Sequence, residues 1–139
     1  MRIDKSFLLR LMMIVIPLFI QSACSSAPAA KSNQVVTNDQ RHVIQIDLQP
    51  NPAKILKENM LHISLPASLQ QELKEKTVKI QLSMPGMDHG ILEVQAKPNE
   101  QGEYIAPVTP TMIGDWKAEL SMEGKTQTIT ATFDFDAVR

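Results

Sequence analysis

The chain has 139 residues, of which 43% are hydrophobic and 21% are charged, and its formal net charge is −1. This length and composition are typical of one small globular domain and exclude a long disordered protein. Its basic residues are interleaved with acidic residues, with no dense basic run, so we predict no nucleic-acid partner.

Residues 1–23 have the three parts of an export signal. A head with three basic residues is followed by an apolar run over residues 11–20, and small residues precede Cys24. The apolar run is shorter than the about 20 residues that a membrane-spanning helix needs. We therefore predict a cleaved signal peptide over residues 1–23. The alternative is an uncleaved N-terminal anchor.

Cys24 is the single cysteine of the chain. A lone cysteine in an exported protein has no partner for an internal disulfide. Its position directly after Ser22 and Ala23 resembles the lipobox of bacterial lipoproteins, in which Gln21 replaces a usually apolar residue. The resemblance implies a lipid thioether on Cys24, cleavage before it and acylation of the new amine, for example by palmitate. The protein would then be anchored to a membrane of the cell envelope and face the extracytoplasmic side.

The segment after Cys24 is rich in Ser, Ala, Asn and Gln and lacks apolar periodicity. We predict that residues 24–40 form the lipidated start and a flexible tether. The folded domain is expected to occupy residues 41–139.

Apolar and polar residues alternate in seven short segments of residues 41–139, which is the period of half-buried strands. The segments are 44–48, 61–65, 78–84, 92–96, 104–108, 116–122 and 129–135. Turn residues separate them, so we predict an all-β, immunoglobulin-like antiparallel β-sandwich of about seven strands. A short helix is predicted within residues 68–76, where Ser68 and Gln71 would form a capping box.

Residues 84–90 read Met-Pro-Gly-Met-Asp-His-Gly and follow a predicted strand, which indicates a loop. Thioethers and imidazole suit Cu(I), and a thioether needs no deprotonation. We therefore predict that Met84, Met87 and His89 are metal ligands. A second loop adds Met112 as a possible fourth ligand, and Trp116 would lie near it.

Structural roles compete with ligand roles at most of these positions. Met84 continues the apolar face of its strand, and Met112 has an equally natural packing role. His89 has a hydrogen bond to a turn carbonyl as its alternative, and Asp88 is interpreted as a turn residue. Trp116 alternates with apolar residues, which favours a core position over a cation–π contact with copper.

Four stretches in this order resemble the YtkA-like family of small exported β-sandwich domains, which is related to FixH-type proteins of cytochrome oxidase assembly. The stretches are residues 78–82, 84–90, 102–104 and 112–116, and the resemblance spans about residues 43–135. It implies an immunoglobulin-like fold, often on a lipoprotein or membrane tether. It also implies a link to copper handling and oxidase biogenesis.

No sequence motif for a nucleophile, a phosphate loop or a zinc protease is present, so we predict that the protein is not an enzyme. The leading hypothesis is a lipid-anchored domain that binds Cu(I) or assists copper delivery. Its partner would be a cuproprotein or a membrane protein. The alternative is a metal-free protein-interaction module on the cell envelope.

Overall fold

A computed structural model describes residues 33–87 and 90–139 of the chain. The predicted signal peptide, Cys24 and most of the predicted tether lie outside the described residues, as do Asp88 and His89. The elements of the described part follow in this order: β1 (Gln34–Val36), β2 (Val43–Gln49), β3 (Ala53–Lys54), β4 (Asn59–Ser64), α1 (Ala67–Glu72), β5 (Leu73–Ser83), β6 (Leu92–Pro98), β7 (Tyr104–Val108), β8 (Gly114–Gly124) and β9 (Thr128–Val138).

The strands of the described part form one curled sheet in the order β1-β2-β4-β7-β6-β5-β8-β9-β3. β6 joins the two halves of the sheet, because it pairs with β5 along most of its length and with β7 at its last two residues. The pairings are antiparallel except that of β3 with β9, which is parallel. The predicted all-β fold and the seven predicted strands are confirmed.

Asn38 connects the turn after β1 to β9, on the open side of the curl. Its backbone N–H donates to the Thr130 carbonyl at 2.8 Å, and its Oδ1 accepts the Thr130 N–H at 2.9 Å. These two hydrogen bonds link the first strand of the sheet to its last long strand.

The core is built from the alternating positions of the strands. Ile44, Ile46 and Leu48 of β2 are buried, as are Leu120 and Met122 of β8, while the residues between them are more exposed. Removing such a side chain from water contributes about 1.5–3 kcal/mol. Burial of this alternating set is therefore the main favourable term that stabilises the sheet.

The folded part begins earlier than Arg41. β1 lies inside the segment predicted as a flexible tether and pairs with β2 in the register Val36↔Val43. This strand is short and has no alternating pattern of its own, so its pairing depends on the neighbouring strand. In residues 33–87 and 90–139, no helix is long and apolar enough to cross a membrane.

The helix predicted within residues 68–76 is wrong in its second half. α1 ends at Glu72, and Leu73 is extended and buried as the first residue of β5. The predicted capping box is also wrong, because Pro66 occupies the N-cap position and no side chain caps the helix. Ser68 lies inside the first turn, where its hydroxyl is 3.3 Å from Nδ1 of His42.

Candidate metal centre at the methionine end

Three loops meet at the end of the sheet where β5 ends and β8 begins. Residues 84–91 connect β5 to β6, residues 109–113 connect β7 to β8, and residues 55–58 connect β3 to β4. They meet because β3 pairs with the end of β9, and that end of β9 also pairs with the start of β8. The Leu56 N–H donates to the Pro110 carbonyl at 2.8 Å and joins two of the loops directly. We call these three loops the methionine end.

Met84 and Met87 are the first and last residues of one tight turn. The Met87 N–H donates to the Met84 carbonyl at 3.2 Å, with Pro85 and Gly86 between them. Gly86 has a φ of +80°, and proline followed by such a glycine is typical of a type II turn. The Met-Pro-Gly-Met sequence therefore forms this turn by local chemistry and leaves Met87 48% exposed.

Met84 lies between the core and the neighbouring loop. Its side chain is half-buried and packs against the core, as its packing interpretation predicts. A Cβ atom added to Gly114 would be 3.1 Å from Cε of Met84, and Gly114 has a φ of +130°. The first residue of β8 thus leaves room for the tip of Met84. Gly114 follows Met112 by two residues, so this contact places the tip of Met84 near the end of the loop that holds Met112.

Met112 is 36% exposed at the end of its loop. Its carbonyl accepts a hydrogen bond from Nε1 of Trp116 at 2.9 Å. Trp116 is buried and stacks on Phe135, with ring centroids 6.5 Å apart. The predicted core position of Trp116 is confirmed, and its indole N–H holds the backbone of the methionine loop in place.

The structure thus brings Met84 and Met87 into one turn and places the tip of Met84 beside the strand that follows Met112. His89 lies outside the described residues, so a centre shared by all four predicted ligands stays a prediction. Among the described residues, no group of three or more His, Cys, Asp or Glu side chains has the arrangement of a metal site. Thioether sulfur is a donor of another type.

The methionine end also exposes apolar side chains that the sequence analysis missed. Eight large hydrophobic residues of the described part are exposed, and six of them lie at this end or directly beside it. We call these six the apolar group: Leu56, Met87, Ile91, Leu92, Met112 and Ile113. The signal in the sequence was present, because Ile91 and Ile113 fall in predicted loops, but a loop residue can equally fold back into the core.

Asn59 is a second residue that the sequence analysis missed. Its side chain is fully buried at the start of β4, and its Oδ1 accepts the Lys54 N–H at 2.7 Å. Its Nδ2 donates to the carbonyls of Lys54, Lys57 and Val108. This side chain therefore holds the loop that carries Leu56 against the end of β7.

The opposite end of the sheet consists of the loops 37–42, 99–103 and 125–127, together with Glu72 of α1, and we call it the polar end. The Thr37 hydroxyl donates to Asp39 at 2.6 Å, and Nε of Arg41 donates to the same carboxylate at 2.9 Å. The Thr37 hydrogen bond, followed by the Arg41 backbone N–H, lowers the pKa of Asp39 from its ordinary value of 3.8 to about 2.

Comparison with protein-family models gave no match, and comparison with curated proteins gave none either. The structure is similar to the crystal structure of the PmoD soluble domain from Methylocystis sp. ATCC 49242 (Rockwell), with a TM-score of 0.51 and 14% sequence identity. The match covers 70% of this chain and 93% of that domain. At this identity the likeness concerns the fold, so the resemblance to the YtkA-like family stays a prediction.

Proposed function

We propose that this small all-β domain is a non-catalytic, lipid-anchored protein of the cell envelope that binds Cu(I) and assists its delivery. Met84, Met87, His89 and Met112 are the proposed ligands. The observation that carries the proposal is the contact between the tip of Met84 and the start of β8 at Gly114. This contact brings the turn that holds Met87 next to the loop that holds Met112.

The donor chemistry suits a cuprous cargo. Thioether sulfur is soft and neutral, so it favours Cu(I) over the hard ions Ca²⁺ and Mg²⁺ and binds without losing a proton. It also does not form disulfides in an oxidising compartment. Met87 and Met112 are partly exposed, which suits a site that must pass its ion to another protein.

The anchor is the second part of the proposal. Lipidation of Cys24 would hold the domain at a membrane through residues 25–32 and the start of β1. The similar PmoD structure is described as a soluble domain, which suits a fold carried outside a bilayer. The partner would be a cuproprotein or a membrane protein reached from that surface.

A metal-free interaction module is the competing function, and the apolar group favours it. Six exposed hydrophobic side chains at one end form a contact surface whether or not the methionines bind an ion. Met84 also packs against the core, and that role needs no metal. Copper binding separates the two functions.

The test is an anaerobic titration of the full-length protein in detergent with Cu(I), in competition with a chromophoric chelator. We expect one ion per protein. The double variant Met87→Ala/His89→Ala should weaken the affinity at least about tenfold, since each lost donor removes a bond to the ion.

Met60 and His62 provide the matched control, because they are one thioether and one imidazole on β4, outside the proposed site. The double variant Met60→Ala/His62→Ala should keep the affinity of the wild type. Absence of competition by the wild type, or an equal loss in both double variants, would contradict the copper proposal and leave the metal-free module.

A further inference from the structure

The exposed apolar side chains are distributed unevenly between the two ends of the sheet. Ile91 is 61% exposed and Ile113 is 51% exposed, and both lie at the methionine end with the rest of the apolar group. The other two exposed hydrophobic residues, Val36 and Val43, are paired neighbours on β1 and β2 next to the polar end. Exposed apolar side chains gathered at one end of a domain indicate a site of contact with another apolar body.

The direction of β1 shows which end of the sheet its first residue faces. The Asn33 carbonyl accepts the Ile46 N–H at 2.8 Å, and its side chain donates to Asp47 at 3.2 Å. From there β1 runs toward the polar end, because Val36 pairs with Val43. Asn33 also lines one shallow cavity with Asn51, which follows β2. The first residue of β1 therefore faces the methionine end.

The length of the tether limits the distance between the domain and its proposed anchor. Residues 24–32 span at most about 30 Å when fully extended, and a flexible segment of this length averages about 15–18 Å end to end. To turn the polar end toward the membrane, the tether would have to reverse its direction at Asn33. The direction of β1 and the short reach both favour the methionine end as the surface nearest the bilayer.

We propose that the methionine end docks on the lipid bilayer and inserts the apolar group into the interface between headgroups and acyl chains. The inference rests on the lipid anchor of the proposed function. It commits to lipid because a short tether keeps the bilayer at a high effective concentration near this surface. Side chains at an interface enter the boundary of the acyl chains to a depth of about 5–10 Å.

The charges of the loops indicate that the apolar side chains drive this docking. The loop of residues 55–58 carries Lys57 and Glu58, both exposed and of opposite sign. Their charges offset each other, the sequence of residues 109–113 has no charged residue, and that of residues 84–91 adds one acid, Asp88. The three loops therefore give no attraction to anionic lipid. Docking is thus expected on zwitterionic and on anionic membranes alike. Met87 and Met112 would then lie at the membrane surface, where a membrane-embedded partner could receive the ion.

Trp116 is the single tryptophan of the chain and therefore a built-in probe. Its indole N–H donates to the carbonyl of Met112, which is a member of the apolar group. The experiment uses the full-length lipidated protein in phosphatidylcholine vesicles, with and without bromine on the acyl chains. Bromine quenches indole emission only at close range. We expect about a twofold fall in Trp116 emission, since the interfacial depth brings the acyl boundary near the indole.

Two double variants with similar exposure test the location of the contact. Ile91→Ser/Ile113→Ser should bring quenching to background, because it removes two inserted side chains and leaves every proposed copper ligand in place. Val36→Ser/Val43→Ser should retain the quenching of the wild type. Both variants should unfold cooperatively in urea as the wild type does, when followed by Trp116 emission in detergent, which shows without reference to copper that they are folded.

Labelled fatty acid on Cys24 is measured in the same samples, with Cys24→Ser as the unlabelled control. Label without quenching in the wild type would overturn the docking proposal while the anchor stands, and the surface would then suit a protein partner. Absence of label would refute the anchor and the docking proposal together. Quenching that requires phosphatidylglycerol, or that survives Ile91→Ser/Ile113→Ser, would also overturn docking through the apolar group.

Discussion

The two ends of the sheet differ in the surroundings of their side chains: polar side chains have partners at one end, and apolar side chains are exposed at the other. At the polar end, Asp39 accepts hydrogen bonds from Thr37 and Arg41, and Arg41 also reaches Glu72 at 3.1 Å. At the methionine end, the loops are joined through the backbone of Leu56 and Pro110, while large apolar side chains remain exposed.

The comparison shows which end is available for contacts outside the domain. Exposed ion pairs such as Arg41–Glu72 contribute only about 0–1 kcal/mol to stability, but they leave few polar groups of that cluster without a partner. The exposed leucines and isoleucines of the apolar group gain no stabilisation from contact with water. Their exposure is therefore a feature that folding alone does not explain, and it directs functional experiments to that end.

The largest expected effect contrasts Asn59 at the methionine end with Asn99 at the polar end. Asn59→Ala removes a buried side chain that bonds to three carbonyls and one N–H, and it should lower the free energy of unfolding by about 2–3 kcal/mol. Asn99 accepts the N–H groups of Gln101 and Glu103 in a turn that water can reach. Asn99→Ala should therefore cost about 1 kcal/mol.

Urea unfolding of the two asparagine variants, followed by Trp116 emission, gives both values. Equal losses would show that the loop carrying Leu56 is no more tightly held than the turn at the polar end. The contrast between the two ends would then be confined to their surfaces.

A smaller effect contrasts Gly114 with Gly102, both of which have positive φ angles. Alanine at either position should cost about 1–2 kcal/mol, because a side chain disfavours this backbone conformation. Only at Gly114 would the new Cβ come within 3.1 Å of Cε of Met84, and nothing lies within 4 Å of a Cβ at Gly102.

We therefore expect Gly114→Ala to weaken Cu(I) binding by displacing the tip of Met84, while Gly102→Ala leaves the affinity unchanged. The chelator competition described above measures both. An unchanged affinity in Gly114→Ala would show that Met84 is a packing residue and would remove it from the proposed ligand set.

The smallest effect belongs to the polar end and depends on pH. Because the pKa of Asp39 is lowered from 3.8 to about 2, the folded protein holds this proton more weakly than the unfolded chain does. The resulting stability is present above pH 4 and is lost as the pH falls toward 2. Asp39→Asn should flatten this part of the stability curve, and urea unfolding between pH 2 and 5 measures it. An identical slope in the variant would contradict the assigned role of Asp39.

Alternation made most of the fold predictable, since six of the seven long strands have one buried face. β6 is the exception, because only Ala96 is buried and Leu92 is exposed. β1 was missed because it is ordered by pairing with β2, which comes later in the chain. β3 was missed because it is ordered by pairing with β9, which is distant in the chain. The helix was predicted to be too long because the sequence around Leu73 is compatible with a helix or a strand. The structure shows that Leu73 is buried as the first residue of β5.

The candidate site was predictable to a lesser degree. The Met84–Met87 turn follows from Pro85 and Gly86, which set the local backbone. The contact of Met84 with Gly114 joins loops 30 residues apart, and no local pattern encodes such a meeting. The exposure of Ile91 and Ile113 was equally hidden, because an apolar loop residue has the same pattern whether it is buried or exposed.

The outermost strands have a consequence for a protein concentrated on a membrane. β1 has three residues and β3 has two, so each outermost strand offers few backbone groups of its own to another copy. β3 pairs only with Ala137 and Val138, so most of the outer edge of β9 lies beyond it. Anchored molecules collide often in the plane of a bilayer, and long free margins would promote fibre-like association. Asn38 occupies both backbone groups of Thr130 on that edge of β9 and so opposes such growth at high surface density.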